Sequence, residues 1–194
     1  MKRAFDFILS LIGLILLSPI FLIISLLIAL SSKGGVFYKQ TRVGKDNIDF
    51  KVYKFRSMIV DADKKGLLSI GKDGRDPRIT KIGYILRKYK LDELPQLINV
   101  LKGDMSLVGP RPEVRKYVDL YDNKQKEILK VRPGITDIAS ITFRNENDLL
   151  SQNPNPEDYY IQEIMPKKIS LSLEYVKTRT LIKDIKLIFK TILG

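Results

Sequence analysis

The sequence predicts an α/β protein: a compact, mostly helical cytosolic domain with a small β-hairpin or sheet, joined to an N-terminal membrane segment. Three observations carry that expectation. An uncharged run extends from Phe7 to Ser32, two short stretches rich in aromatic and β-branched residues flank a turn, and apolar residues recur at helical spacing through much of the remainder. The division that follows is residues 1–32 as a membrane hairpin and 33–194 as one soluble domain, long enough to bury a modest core.

The first segment exceeds the roughly 20 apolar residues that a membrane-spanning helix needs. Its length and the want of a small-residue cleavage site argue against a removable signal peptide. Ser18-Pro19 falls at its centre, where proline withholds a backbone hydrogen bond and bends a helix. Lys2 and Arg3 precede the run, and Lys33, Lys39, Arg42 and Lys45 follow it, so the positive-inside rule assigns both ends to the cytoplasm. A re-entrant helix-break-helix satisfies that pattern. A kinked single-pass anchor is the alternative.

Val36 to Gln40 and Phe50 to Phe55 read as a hairpin about the turn Gly44-Lys45-Asp46-Asn47, with Lys54 and Arg56 on one face of the second strand. Asp61 to Pro77, with Gly66, Gly71 and Gly74, reads as a surface loop. Lys81 to Tyr89 is expected to be a basic helix that brings Arg87 and Lys88 near Asp92 and Glu93. Glu113 to Lys130 reads as helix, Val131 to Thr136 as a turn running into extended chain, and Asn153-Pro154-Asn155-Pro156 as a loop. At the C-terminus Leu181, Ile185, Ile188, Phe189 and Ile192 share one helical face, with Lys183, Lys186 and Lys190 toward the other. That pattern suits a helix lying in the membrane interface or an amphipathic helix facing the core.

The chain contains no His and no Cys. Thiolate nucleophiles, imidazole bases, and zinc sites built on either residue are therefore excluded, and so is a disulfide-stapled domain. Catalysis must run on carboxylates, and Leu91-Asp92-Glu93-Leu94-Pro95-Gln96-Leu97 places two together. Leu94, Leu97, Ile98 and Leu101 repeat at helical intervals, Pro95 is tolerated in a first turn, and Gly103 can end the helix. Asp92 then lies near a helix N-terminus, where free N–H groups favour an ionised carboxylate and any phosphate beside it. The plainer reading is that Asp92 is an N-cap and Glu93 a first-turn charge. Pro110-Arg111-Pro112 adds one rigidly held arginine. The 34 Lys and Arg against 22 Asp and Glu give a net charge of +12, which calls for an acidic partner. Anionic lipid headgroups and phosphorylated substrates lie nearer a tethered chain than nucleic acid does.

In order and spacing, the motifs resemble the monotopic bacterial phosphoglycosyl transferases, the bacterial sugar transferase family of undecaprenyl-phosphate sugar phosphotransferases. The resemblance rests on Lys2-Arg3-Ala4-Phe5-Asp6 with Ser18-Pro19, Tyr53-Lys54-Phe55-Arg56-Ser57-Met58, Leu91 to Gln96, Asn99 to Ser106, Val108-Gly109-Pro110-Arg111-Pro112, and Val131-Arg132-Pro133-Gly134-Ile135-Thr136. It implies transfer of a sugar-1-phosphate from a UDP-sugar to a polyprenol phosphate, with release of UMP and with Mg²⁺, at the cytoplasmic face of the bacterial inner membrane. It implies a monotopic attachment through a re-entrant helix and interfacial helices, and it is similar to the minimal form of the family, without extra spanning helices or an N-terminal domain. Carried over by motif, Asp92 would be the nucleophile and a metal ligand, and Glu93 would position the metal or take a proton. Lys54, Arg56, Arg87, Arg111, Arg132 and Arg144 would bind phosphate or substrate.

The chain departs from the family after Thr136. Relatives commonly continue Gly-Trp-Ala-Gln where Asp137-Ile138-Ala139-Ser140 stands here, which leaves the donor sugar unspecified. Two other classes compete: a membrane-tethered nucleic-acid binder, for which no recognition-helix or stacking-aromatic pattern is present, and a non-catalytic scaffold, against which both carboxylates and Arg111 argue. The expected partners are a UDP-sugar, a polyprenol phosphate and membrane lipids, not nucleic acid, with homo-oligomerisation left open.

Overall fold

The structure is a computed structural model that describes residues 1–68, 70 and 76–193; residues 69, 71–75 and 194, and with them Gly71 and Gly74 of the expected surface loop, lie outside the described residues. It opens with helix α1 (Lys2–Ser31) and the strands β1 (Phe37–Val43) and β2 (Asp49–Phe55). Helix α2 (Lys81–Lys88), a 3₁₀ turn at Leu91–Glu93, helix α3 (Gln96–Lys102) and strand β3 (Ser106–Val108) follow. Then come α4 (Arg115–Val118), a 3₁₀ stretch Gln125–Lys130, β4 (Gly134–Thr136), α5 (Ile138–Thr142), α6 (Glu146–Ser151), α7 (Pro156–Tyr159), α8 (Met165–Thr178) and α9 (Leu181–Leu193). The expected mostly helical domain with a small hairpin is what forms.

β1 and β2 pair antiparallel with Phe37 opposite Phe55 and Val43 opposite Asp49. A second, parallel pair joins β3 to β4, with Ser106 opposite Gly134 and Val108 opposite Thr136. The sequence reading misses β3, because three residues between Gly103 and Pro110 are too few to show a strand period. It also expects one helix from Glu113 to Lys130. The chain instead makes the four residues of α4, a break at 119–124, and a 3₁₀ stretch. There, the N–H of Gln125 donates to Asp122 Oδ1 at 2.7 Å and Gln125 Oε1 accepts from Asp122 N–H at 2.9 Å, so side chains take up backbone groups that a helix would pair.

Where the sequence reading expects a break at Ser18-Pro19, helical conformation runs through. Proline withholds one hydrogen bond without ending the helix, and Ser18 Oγ donates to Ile15 O at 2.8 Å beside it. Both halves of α1 pack on the same domain. In the first half Asp6 and Ser10 are buried, and Asp6 Oδ2 accepts from Ser106 Oγ at 2.8 Å. In the second, Ile24 and Ile28 enter a cluster with Phe55 and Leu86, and Phe21 meets Phe55 edge-on at 5.0 Å. Between them Ile15, Leu16, Ser18, Pro19 and Ile20 are exposed.

A larger core joins Tyr117, Val118, Ile128, Leu150, Tyr160, Ile164 and Ile169 between α4 and α8. Residues 61–68 are gathered by Arg78, whose guanidinium donates to Ala62 O, Gly66 O and Leu68 O at 3.1, 2.5 and 2.6 Å and pairs with Asp76. Helix α9 attaches through polar groups. Asp184, 1% exposed, accepts from Lys2 Nζ at 2.5 Å and from Tyr175 Oη at 2.6 Å, and Thr191 Oγ1 lies 2.5 Å from Thr136 Oγ1.

The apolar face of α9 is turned outward: Ile182 is 68% and Phe189 58% exposed, with Leu181 and Ile185 beside them, whereas Ile188 is half-buried. This favours the interfacial reading of the helix. Of the residues in that expected face, the side chain of Ile192 lies outside the described set. Replacing Ile185 and Phe189 together by Glu is expected to speed hydrogen exchange of residues 181–193 in liposomes while leaving the melting temperature in detergent nearly unchanged. Collapse of the melting transition would return α9 to the core.

Candidate active site

Asp92 and Glu93 lie in the 3₁₀ turn ahead of α3, whose first residue is Gln96 and whose N-cap position is Pro95. Asp92 is therefore not a helix cap, and no side chain caps α3. The turn is set by Lys90, held in the left-handed region at φ 57°, a conformation that costs about 1 kcal/mol or more for a non-glycine residue. At the other end Gly103 closes α3 at φ 94°, as its sequence position predicts. Arg3 of α1 adds a cap from outside, donating through Nη2 to Leu101 O at 2.8 Å and through Nη1 to Val100 O.

Asn99 ties this unit to the hairpin. Fully buried, it accepts from Tyr53 N–H at 2.9 Å and donates to Lys51 O at 2.7 Å, replacing the partner strand that β2 lacks on that side. The neighbouring Lys54 then meets Glu93, Nζ to Oε1 at 2.9 Å. From the Pro-Arg-Pro loop Arg111 Nη1 reaches Glu93 Oε2 at 3.1 Å, and Nη2 bonds Oε1, making a two-pronged pair. The sequence reading names Asn99 only as the first residue of the family motif Asn99 to Ser106 and gives it no role, because its burial and its two partners are set by β2.

Electrostatically the two carboxylates diverge. Burial alone would raise both. At Glu93 the Arg111 and Lys54 charges overcome burial and hold the carboxyl well below its usual range. At Asp92 burial prevails, aided by the charge of Glu93, and the carboxyl is raised despite Lys54, Arg87 and Lys90 nearby. The sequence reading expects a helix N-terminus to keep Asp92 ionised; that support is absent because the helix begins four residues later. Lys54 is lowered by burial, with Arg111 adding to the effect and Glu93 opposing it.

Asp92 is 4% exposed, and among the described residues its carboxylate accepts no hydrogen bond. It is thus the acidic group with free lone pairs, whereas Glu93 is committed to two cations. No group of three or more acidic residues, the minimum of a protein-built metal cage, occurs among the described residues. Mg²⁺ is commonly held by one or two carboxylates and completed by substrate phosphates and water, and the free Asp92 carboxylate is a donor of that kind.

Of the other expected residues, Arg87 lies near enough to Asp92 for its charge to act on that carboxyl, and Arg56 does not join Lys54: β2 ends at Phe55, and the Arg56 guanidinium lies against Gly34. Arg132 donates to Gly103 O at 2.7 Å and Arg144 to Lys190 O at 3.2 Å, both at helix C-termini. Lys54, Arg87, Asp92, Glu93 and Arg111 are the residues brought together.

A free buried carboxylate thus stands beside one locked between cations. A family model for the bacterial sugar transferases matches residues 1–194, and the chain belongs to that family. It is 41% identical over 194 residues to the UDP-N-acetylgalactosamine-undecaprenyl-phosphate N-acetylgalactosaminephosphotransferase of Aeromonas hydrophila, covering 98% of this chain and 42% of that one. It is 41% identical over 196 residues to the UDP-glucose:undecaprenyl-phosphate glucose-1-phosphate transferase of Escherichia coli (strain K12), covering 99% of this chain and 39% of that one. To the exopolysaccharide production protein ExoY of Sinorhizobium fredii it is 35% identical over 204 residues, covering 98% and 83%. The chain thus spans about two fifths of the first two relatives and most of the third.

The depressed carboxyl of Glu93 links stability to pH. Its contribution is complete above the ordinary glutamate value of 4.5 and is lost as pH falls through the lower folded value. Glu93→Gln strands two partly buried cations and is expected to cost about 3 kcal/mol near neutral pH. Melting in detergent at pH 7 and at pH 3.5 checks this: the gap between the native chain and the variant should narrow at the lower pH.

Proposed function

We propose that the chain transfers a sugar-1-phosphate from a UDP-sugar to undecaprenyl phosphate and releases UMP, in two steps through a covalent intermediate on Asp92. The observation that carries this reading is the buried Asp92 carboxylate, free of hydrogen bonds, beside cations that can receive a diphosphate. In the first step an Asp92 oxygen attacks the phosphorus bearing the sugar, and the bond from that phosphorus to the bridging oxygen breaks, freeing UMP. In the second a phosphate oxygen of the polyprenol attacks the same phosphorus and Asp92 departs as carboxylate, leaving a polyprenyl diphosphate sugar. Attack at phosphorus asks chiefly for position and for neutralisation of the equatorial oxygens, which Arg111, Arg87 and Lys54 can supply. Arg56, Arg132 and Arg144 stand further out in this reading, as contacts for the rest of the donor.

A Mg²⁺ held by Asp92 and the donor phosphates would neutralise charge on the diphosphate. Glu93, held ionised, fixes Lys54 and Arg111 until phosphate competes for them, and is then available to take the acceptor's proton. The relatives' names, transferases acting on undecaprenyl phosphate and an exopolysaccharide production protein, support a role in surface polysaccharide or other glycan assembly, which this transfer would begin. Two of these relatives are named for different donor sugars, N-acetylgalactosamine and glucose, so the donor is decided by a panel of UDP-sugars.

The same reading places the domain on the cytoplasmic face of the bacterial inner membrane, with α1 entering and leaving by one surface. Contact of both halves of α1 with one domain, and the exposed stretch around Ser18-Pro19, support this; a through-span would separate the ends by roughly 30 Å of hydrocarbon.

Incubating the full chain in detergent with a panel of UDP-sugars, including UDP-glucose and UDP-N-acetylgalactosamine, should release UMP in an amount limited by enzyme and add a sugar-phosphate mass to the peptide containing Asp92. Undecaprenyl phosphate should then discharge it. Asp92→Asn is expected to lose at least about a thousandfold in rate. Substantial activity in that variant, or UMP release only when both substrates are present, would favour direct transfer.

Topology has its own measurement, made clean because cysteine is absent. In intact cells Ala4→Cys and Gly35→Cys should both resist a membrane-impermeant thiol reagent and both react after lysis. Labelling of the first alone from outside would mean that α1 spans.

A further inference from the structure

The tripeptide Pro110-Arg111-Pro112 has a single backbone N–H, that of Arg111, since neither proline carries one. Its acceptor is Asp137 Oδ2 at 3.4 Å. Asp137 is 2% exposed, and its other oxygen accepts from Ser140 N–H at 2.7 Å at the start of α5. The rest of the loop is fixed to the same strand: Gly109 N–H donates to Thr136 O at 3.1 Å and Gly134 N–H to Pro110 O at 3.0 Å. A side chain at Gly134 would collide with the Gly109 backbone, so loop and strand lie in direct contact. Arg111 and Asp137 also line one small cavity with Glu113, Tyr160, Lys168 and Ser172, and the Asp137 charge acts on the Arg111 guanidinium.

We propose that Asp137 is a positioning residue for Arg111: its carboxylate accepts the one backbone N–H of the Pro-Arg-Pro loop and so aims the guanidinium at the carboxylate pair. This rests on the role given to Arg111 under the proposed function. The physical case is that a part-buried N–H gains from an acceptor, and here a single buried side chain both provides it and begins the next helix. Gly109 and Pro110 hold the start of the loop to the strand, and at Arg111 itself the N–H is the one backbone donor between the two prolines. Loss of Asp137 therefore leaves Arg111 displaced, not the fold dissolved.

The test uses the full chain in nanodiscs. Asp137→Ala should speed hydrogen exchange at the Arg111 amide at least about tenfold, since one hydrogen bond of protection is lost. With UDP-glucose or UDP-N-acetylgalactosamine as donor and undecaprenyl phosphate as acceptor, kcat should fall about 10- to 100-fold with little change in donor KM. Asp137→Asn, whose amide oxygen can still accept, should recover most of the rate. In an Arg111→Lys background, Asp137→Ala should cost almost nothing more, because the two act as one unit.

Should Asp137→Ala fail to fold, Asp137→Ser keeps a capping oxygen for Ser140 and leaves the Arg111 N–H unpaired, giving the same comparison. Unchanged exchange at Arg111, or additive losses in the double variant, would overturn the proposal while leaving the proposed reaction standing. If Arg111→Lys itself transfers sugar phosphate as the native chain does, Arg111's role in the reaction falls, and this inference with it.

Discussion

The site depends on one carboxylate held by two cations. Glu93 joins Lys54 at the end of the hairpin to Arg111 in the Pro-Arg-Pro loop, so three separate stretches of chain converge on a single side chain. Partly buried charges of this kind are costly unless paired, and pairing one with two makes the arrangement hard to dissolve. Asp92, the residue before it, is carried into the same enclosure, where its carboxylate accepts no hydrogen bond among the described residues. The contrast between the neighbours is therefore set by geometry: one carboxylate is spent on holding the site together, and the other is left available.

A second set of polar contacts decides how the apolar N-terminal helix meets the domain. Hydrophobic contact at Ile24 and Ile28 supplies attraction but little direction, since aliphatic side chains accept many registers. Direction comes from Asp6 on Ser106, Lys2 on Asp184 and Arg3 on the end of α3. Arg3 caps the same helix that follows the carboxylate pair. The attachment of α1 and the placement of the site are consequently parts of one construction, and α9 shares it through Asp184 and Thr191.

The cations of the site serve two masters in the proposed reaction. Arg111 and Lys54 neutralise Glu93 while no phosphate is present, and a diphosphate would compete for the same donors. That exchange keeps positive charge from standing unpaired in a half-buried cleft. It also places an ionised carboxylate beside the entering phosphate at the stage when a proton must be removed.

Much of this was legible in the sequence, and the limit has a physical basis. The uncharged run, the hairpin, the helix 81–88 and the Gly103 stop follow from local periodicity and turn chemistry, which need no knowledge of distant contacts, as does the singling out of Asp92, Glu93 and Arg111; the roles of these three, and the inclusion of Lys54 and Arg87, come from the family resemblance of the motifs. The residue types alone excluded thiol and imidazole chemistry. What only the tertiary structure decided is long-range: that Asn99 completes the edge of β2, that β3 pairs with β4, and that Asp137 meets the one N–H of Pro-Arg-Pro. The same holds for the ionisation of Asp92 and for Arg132 and Arg144, which are drawn to helix C-termini. Burial and charge at a given atom depend on segments tens of residues away, and no local pattern encodes which of them arrives.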